Sequence, residues 1–157
     1  MDRLKGKVAI ITGGNSGVGE ATAKMFAKEG ATVVITARRE AALEKVAEEI
    51  KAAGGEVFAV STDISKKGDP ERLMDLVIEK YGKVDILVNN AGILEEGLKP
   101  IDRFSDEDLD RIVETNRKRN YALHACSCTE DAGRSLYREC RFYRRSERVR
   151  WSCLCSI

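Results

Sequence analysis

The segment Thr12-Gly13-Gly14-Asn15-Ser16-Gly17-Val18-Gly19 follows an apolar run and precedes a stretch of helical character. A glycine-rich join of strand to helix leaves bare backbone N–H groups at the positive end of a helix dipole, an arrangement that can hold a pyrophosphate. Glycine also lets the backbone approach phosphate closely. An ordinary strand-to-helix turn is the plain alternative, and position along the chain and the residues further on decide between the two. Those residues are Arg38, Asp63, the run Asn89-Asn90-Ala91-Gly92, and Asn116. Taken singly each has a structural reading: solvated helix-start charge, turn former, turn and helix cap.

The elements that must position them follow from hydropathy. Lys7 to Thr12 is β-branched and apolar and stops at Gly13-Gly14, as a strand buried on both faces would. Val18 to Glu29 reads as a helix and Thr32 to Thr36 as a second strand, and Leu43, Val46, Ala47 and Ile50 recur at helical spacing before Gly54-Gly55. The alternation continues with a strand over Val57 to Ser61, a helix begun by Asp69-Pro70 with Leu73, Leu76 and Val77 on one face, and a strand over Val84 to Val88. Ser105 with Asp108 predicts one more helix start, with Leu109, Ile112 and Val113 as its buried stripe. Strands alternating with helices imply a parallel sheet covered on both faces through right-handed crossovers. The chemistry-bearing residues fall where strands end.

The spacing T-G-x-x-x-G-x-G differs from the usual dinucleotide fingerprint and resembles that of the short-chain dehydrogenase/reductase family. Asp63 after the third strand resembles the family's adenine-contacting acid, Asn89 to Gly92 its N-N-A-G motif after the fourth, and Asn116 the helix asparagine of its catalytic tetrad. The resemblance covers residues 1–116 of 157. It implies a Rossmann-type doubly wound parallel α/β sheet, truncated here after the fourth strand and fifth helix region. It implies as cofactor-binding residues Thr12, Gly13, Asn15, Ser16, Gly17, Val18, Gly19, Arg38, Asp63, Ile64, Asn90, Ala91 and Gly92, with Asn116 catalytic.

Cofactor choice turns on the end of the second strand, where an acid would hydrogen-bond the adenosine ribose and repel a 2′-phosphate. The chain reads Thr36-Ala37-Arg38-Arg39 there. An arginine beside a neutral alanine gives a 2′-phosphate a charge partner, so NADP(H) is favoured over NAD(H). The alternative is that both arginines are solvated charges at a helix start.

The resemblance also implies a Tyr-x-x-x-Lys pair as acid/base, a serine that orients a carbonyl, and the asparagine in a proton relay. Hydride transfer to a carbonyl leaves an alkoxide that must be protonated near neutral pH. No such pair is present: four residues after Tyr81, Tyr121, Tyr137 and Tyr143 stand Asp85, Ala125, Arg141 and Glu147. The chain as written is therefore expected not to turn over.

The composition changes at the same place. Residues 1–116 carry 17 Lys and Arg against 22 Asp and Glu, whereas residues 117–157 carry 10 against 4. All five cysteines, His124 and Trp151 lie in the second segment, which has no sustained hydrophobic period and does not read as the next strand. Translation in a neighbouring frame accounts for it. Arg117 to Tyr121 can be encoded so that the frame one base later reads V-K-G-T-M, Leu136 to Tyr143 so that it reads S-I-V-N-V-A-S-I, and Cys153 to Ile157 with a stop so that it reads A-Y-A-A-S-K. The first resembles the family's continuation after Asn116, the second its serine-bearing strand, and the third contains the missing Tyr-x-x-x-Lys. The expected organisation is a nucleotide-binding half over 1–116 and an aberrant basic, cysteine-rich tail over 117–157, poorly packed or disordered.

Other function classes fit less well. Cys126-x-Cys128 and Cys153-x-Cys155 lack the spacers of zinc sites, so no metal is expected, and the arginines follow no folded pattern suited to nucleic acid. No apolar run approaches the roughly 20 residues of a membrane span, and Met1 to Lys5 leads straight into a strand, so a cytoplasmic protein is expected. The partner implied is a small carbonyl or alcohol substrate in the intact enzyme. The resemblance also implies that intact relatives are homo-oligomeric, through helices that would lie beyond Asn116. A non-catalytic NADP(H)-binding module is the second reading.

Overall fold

Four consecutive hydrophobic residues at the start of the first strand, Val8, Ala9, Ile10 and Ile11, are all buried, which only a strand with both faces covered allows. That strand, β1 (Val8–Thr12), is central in a computed structural model that describes residues 2–93 and 100–119. It is followed by α1 (Gly17–Lys28), β2 (Thr32–Ala37), α2 (Glu40–Ala52), β3 (Glu56–Ser61), α3 (Asp69–Tyr81) and β4 (Ile86–Val88). A 3-10 turn, Ile101–Arg103, leads into α4 (Asp106–Val113), which runs on as a π-helical turn, Glu114–Arg119. The tail's cysteines, His124, Trp151 and the tyrosines Tyr121, Tyr137 and Tyr143 lie outside the described residues.

The strands are all parallel and ordered β3-β2-β1-β4. Val8 pairs with Thr32 and Thr12 with Thr36, while Ala9 pairs with Ile86 and Ile11 with Val88. The strand order reverses between β2 and β4, so the loops after β1 and β4 diverge at the carboxyl end of the sheet. In open α/β sheets that crevice is where ligands sit.

Alternation along each strand divides the core in two. Ile10, Val34, Val60 and Leu87 point to one face and pack with Ile64, Leu73, Met74 and Val77 around α3. Ile11, Val33 and Ile35 point to the other and pack with Ala23 of α1 and Leu43, Val46, Ala47 and Ile50 of α2. Each large side chain so buried contributes about 1.5–3 kcal/mol. The doubly wound parallel arrangement predicted from hydropathy is the one observed.

Local chemistry sets the element ends. Asp69-Pro70 opens α3, with Gly68 at φ +90° as its N-cap, and Gly82 at φ +73° closes it. At α4 the Ser105 side chain accepts from the Asp108 N–H, and the Asp108 carboxylate accepts from the Ser105 N–H in return.

Two expectations are corrected. The fourth strand begins at Ile86, two residues later than predicted, because Asp85 is committed elsewhere. Its carboxylate accepts from the Val8 N–H and from Lys7 Nζ, and pairs with Lys83, each at 2.9 Å. The α4 stripe is not buried: Leu109 is 45% and Val113 44% exposed, with Ile112 half-buried. Helical spacing identifies an apolar face, but something must pack against it, and among the described residues nothing covers this one.

Candidate nucleotide-binding site

The turn from β1 into α1 is held from below by Thr12. This residue is fully buried, and its hydroxyl accepts from the N–H groups of Asn90 at 3.0 Å and Ala91 at 2.9 Å. Asn90 returns the contact, its Nδ2 donating to the carbonyls of Thr12 at 2.9 Å and Gly13 at 3.3 Å. Four hydrogen bonds thus tie the ends of β1 and β4 together. Thr12, one of the residues expected at the cofactor, has no accessible surface, and its hydroxyl positions the turn. Asn90 likewise spends its amide donor on the backbone.

Each glycine of the turn answers a different constraint. A Cβ on Gly19 would lie 2.3 Å from the Gly13 carbonyl oxygen and 2.5 Å from Asn90 Nδ2, so the first turn of α1 packs directly on the strand end. Gly13 combines φ +67° with the Asn90 amide 2.9 Å from where its Cβ would be. Gly14 sits against the Ile35 side chain, and the N–H groups of Gly13 and Gly14 both donate to the Thr36 carbonyl.

Gly17 differs. Its φ is +56°, but a Cβ there would meet no atom within 4 Å. It opens α1, where the first N–H groups have no intrahelical partner. Ser16 before it is extended, exposed and makes no side-chain cap bond. Val18 beside it is 60% exposed, and Asn15 is half-buried. Open space, bare helix-start donors and a free hydroxyl converge on one spot, which fits an anionic group such as a pyrophosphate.

The second part of the site lies beyond β2 and β3. Arg38 is exposed just after β2. Asp63 follows β3, and its Oδ1 accepts from the Ser65 N–H at 3.0 Å and Ser65 Oγ at 2.6 Å. Burial pushes the Asp63 carboxyl up, but the Ser65 hydrogen bonds and the charges of Arg38 and Lys66 outweigh it and hold it below its ordinary range. Arg38 and Asp63 therefore share one electrostatic environment, a cation and an anion at the same end of adjacent strands. Ile64, expected beside them at the cofactor, is 6% exposed and its side chain packs in the α3 core.

The third part follows β4. Asn116, in the π-helical turn, receives the Ile93 N–H on Oδ1 at 2.7 Å and donates through Nδ2 to the Ile93 carbonyl at 2.8 Å. A Cβ on Gly92 would stand 3.2 Å from that same Oδ1. The asparagine thus fixes the loop after β4 against the end of the α4 helix, and a side chain at Gly92 would push the two apart.

Two side chains at these strand ends show a feature that sequence reasoning does not reach. Thr36 Oγ1 and Asn89 Oδ1 are both buried without a hydrogen-bond partner among the described residues. An uncompensated buried polar atom costs stability. No residue type or spacing announces this. The tyrosine among the described residues, Tyr81, stands edge-on to Phe58 at 6.3 Å with Lys80 Nζ 3.8 Å from the Phe58 ring. Burial and then Glu56 push its hydroxyl above its ordinary pKa. That is the wrong direction for an acid working near neutral pH.

Comparison with known proteins places this geometry. Residues 7–126 match the short chain dehydrogenase family, a match that runs past Asn116. An uncharacterized oxidoreductase of Listeria innocua is 43% identical over 115 residues, which are 73% of this chain and 46% of that protein. A metagenomic short-chain oxidoreductase solved in complex with NADP superposes with a TM-score of 0.74 at 35% identity, over 80% of this chain and 56% of that one. A 3-ketoacyl-(acyl-carrier-protein) reductase from Brucella melitensis, complexed with NADH, gives 0.70 at 47% identity, over 78% and 49%. The chain spans about half the length of the curated relatives it matches. No described helix is long and apolar enough to cross a membrane. A parallel sheet with a glycine turn at its switch point, matched along three-quarters of the sequence, makes this chain a member of the short-chain dehydrogenase family.

Proposed function

We propose that residues 1–116 are the NADP(H)-holding half of an oxidoreductase that moves hydride between NADP(H) and a carbonyl or alcohol, and that the 157-residue chain binds the cofactor without turning over. The observation that carries this is Gly17: a positive φ, open space at its Cβ position and free helix-start donors beside an uncapping Ser16. Gly13, Asn15, Ser16, Val18 and Gly19 shape and line the pyrophosphate cradle, with Thr12 beneath it. Arg38 faces a 2′-phosphate, Asp63 and the Ile64 backbone the adenine, and Asn90, Ala91 and Gly92 the ribose and nicotinamide side. NADP(H), when bound, supplies or accepts the hydride.

The proton is what the chain cannot supply. Tyr81 is on α3 with its pKa raised, and Asp85 rather than a lysine stands four residues on, locked to Val8 and two lysines. Asn116 is the one tetrad residue present, and its side chain holds the Ile93 backbone. We assign the loss to a base gained or lost near the codon of Arg117, with the Tyr-x-x-x-Lys left in the next frame and the residues from 117 on forming an unrelated tail. Sequencing the gene across the codons of Thr115 to Arg119 tests that assignment, and a next frame without A-Y-A-A-S-K would sink it.

Binding is tested by titrating NADPH and NADH against the chain and following nicotinamide fluorescence. NADPH is expected to bind more tightly by about tenfold or more, the effect of one charge-assisted phosphate contact worth about 1.5–3 kcal/mol. Arg38→Ala should remove that difference and leave NADH affinity nearly unchanged. Equal affinities in the unaltered chain would reject the preference, and no binding of either would reject the site.

A further inference from the structure

We propose that Lys66, in the turn after β3, is a second determinant of the cofactor's 2′-phosphate, required beside Arg38 because the Asp63 carboxylate cancels one of the two positive charges. The proposal rests on the reading of this site as one for NADP(H) and adds a residue and a charge balance to it. The last rung of the sheet places the three residues. Ala37 stands opposite Ser61, and the Thr62 N–H donates to the Ala37 carbonyl at 3.1 Å. Arg38 and Asp63 therefore leave side by side from adjacent strands, which lie about 5 Å apart. The chain then folds back: the Lys66 N–H donates to the Asp63 carbonyl at 2.9 Å, and the Lys66 carbonyl accepts from the Asp69 N–H at 3.3 Å. Both backbone groups of Lys66 are thereby fixed beside Asp63.

The side chains are disposed to act jointly. Asp63 Oδ1 is taken by the Ser65 N–H at 3.0 Å and Ser65 Oγ at 2.6 Å, and the Asp63 N–H donates to Asp69 Oδ2 at 3.2 Å, so the carboxylate is held in place. The ion pairs among the described residues engage Arg3, Lys7, Lys24, Lys83 and Arg111, whereas Arg38 and Lys66 are exposed and belong to none of them. Both charges nevertheless reach Asp63: burial raises its carboxyl, and after the Ser65 hydrogen bonds the charges of Arg38 and Lys66 bring it down. Asp69 opens α3, where the positive end of the helix offsets its charge. An exposed phosphate responds to every charge within the screening length of about 8–10 Å rather than to the nearest alone. Arg38, Lys66 and Asp63 together leave one net positive charge. Removing either cation leaves none, which is why loss of Arg38 abolishes the preference even with Lys66 in place.

Calorimetric titration of the full 157-residue chain with adenosine 2′,5′-bisphosphate and with adenosine 5′-monophosphate isolates the 2′-phosphate. The ratio of the two affinities cancels any loss common to both. The unaltered chain should favour the bisphosphate about tenfold or more. Lys66→Gln should cut the ratio to about twofold or less, and Lys66→Arg should keep it. Lys67→Gln, at the neighbouring exposed lysine, should leave it unchanged. The double variant Lys66→Gln, Asp63→Asn should restore the ratio to about tenfold, because the amide still accepts from Ser65 and carries no negative charge. A rescue of that kind has no counterpart if Lys66 merely shapes the turn. A ratio that survives Lys66→Gln, an equal fall with Lys67→Gln, or no recovery in the double variant would each overturn the proposal and leave the NADP(H) reading standing. Equal affinities, or no binding, in the unaltered chain would overturn both.

Discussion

Replacing Thr12 with valine tests whether a single hydroxyl holds the site together. Valine matches threonine in shape and has the higher affinity for a buried strand, so burial alone predicts a neutral or stabilising change. The structure predicts the opposite. The Thr12 hydroxyl accepts from Asn90 N at 3.0 Å and Ala91 N at 2.9 Å, and both donors are orphaned in the variant. Each orphaned buried donor costs about 1–3 kcal/mol. A methyl in the same place would also stand well inside the roughly 3.5–4.0 Å that a carbon contact prefers, forcing the end of β4 outward. The donors are only part-buried and water reaches the Ala91 side, so the sum is nearer the lower end, about 3 kcal/mol. Urea unfolding followed by far-UV circular dichroism reads this directly. With m of about 2 kcal/mol/M the midpoint falls by about 1.5 M. Thr12→Ser keeps the hydroxyl and loses one methyl, at a cost of about 1 kcal/mol. A valine variant within about 0.5 kcal/mol of the unaltered chain, or one more stable than the serine variant, would refute the reasoning.

Gly17→Ala should cost about 1–2 kcal/mol through its positive φ and lower NADPH affinity about tenfold or more, because the new methyl occupies the open cradle without striking the chain; unchanged affinity by fluorescence titration would clear Gly17 of any part in binding. Asp85→Asn should cost about 1 kcal/mol at neutral pH, since the amide can still accept from Val8 N but loses its charge pairing with Lys7 and Lys83, both well exposed. Burial raises the Asp85 carboxyl, but the Lys7, Val8 and Lys83 contacts outweigh it and leave its pKa depressed in the folded chain. Its contribution is therefore complete above the unfolded value of about 4 and fades as pH falls through the folded one, so the gap between the two proteins in urea midpoints should close in acid. Asn116→Ala removes both bonds to Ile93, and hydrogen exchange at Ile93 should rise while global stability changes by about 1 kcal/mol.

Much of the fold is legible in the sequence because periodicity and turn chemistry act locally. Runs such as Val8 to Ile11 are uniformly apolar only where both faces are covered, and Asp69-Pro70 or Ser105 with Asp108 carry their helix starts in their own side chains. Val84 and Asp85 read as strand because nothing local reveals that Asp85 will be claimed by Val8 and Lys7 from the other end of the described chain. The α4 stripe fails for a related reason: spacing orders Leu109 and Val113 on one face, but burial needs a second surface.

For the site, residue type and order along the chain determine the glycine turn, the Arg38 and Asp63 positions and the absence of a Tyr-x-x-x-Lys pair, since each is a property of neighbours in sequence. Tertiary structure alone decides which of those residues face outward. Thr12 and Asn90 are 78 residues apart and meet because β1 and β4 are neighbours, so the buried Thr12 hydroxyl supports the turn above it. Ile64 goes to the core for the same reason, α3 covering it. Of the four glycines in the β1–α1 turn, Gly17 keeps open space where its Cβ would be, while Gly13, Gly14 and Gly19 are crowded by the strand ends and the helix. A motif fixes which residues lie at a strand end, but only the packing of strands distant in sequence separates those that hold the site from those that meet the ligand.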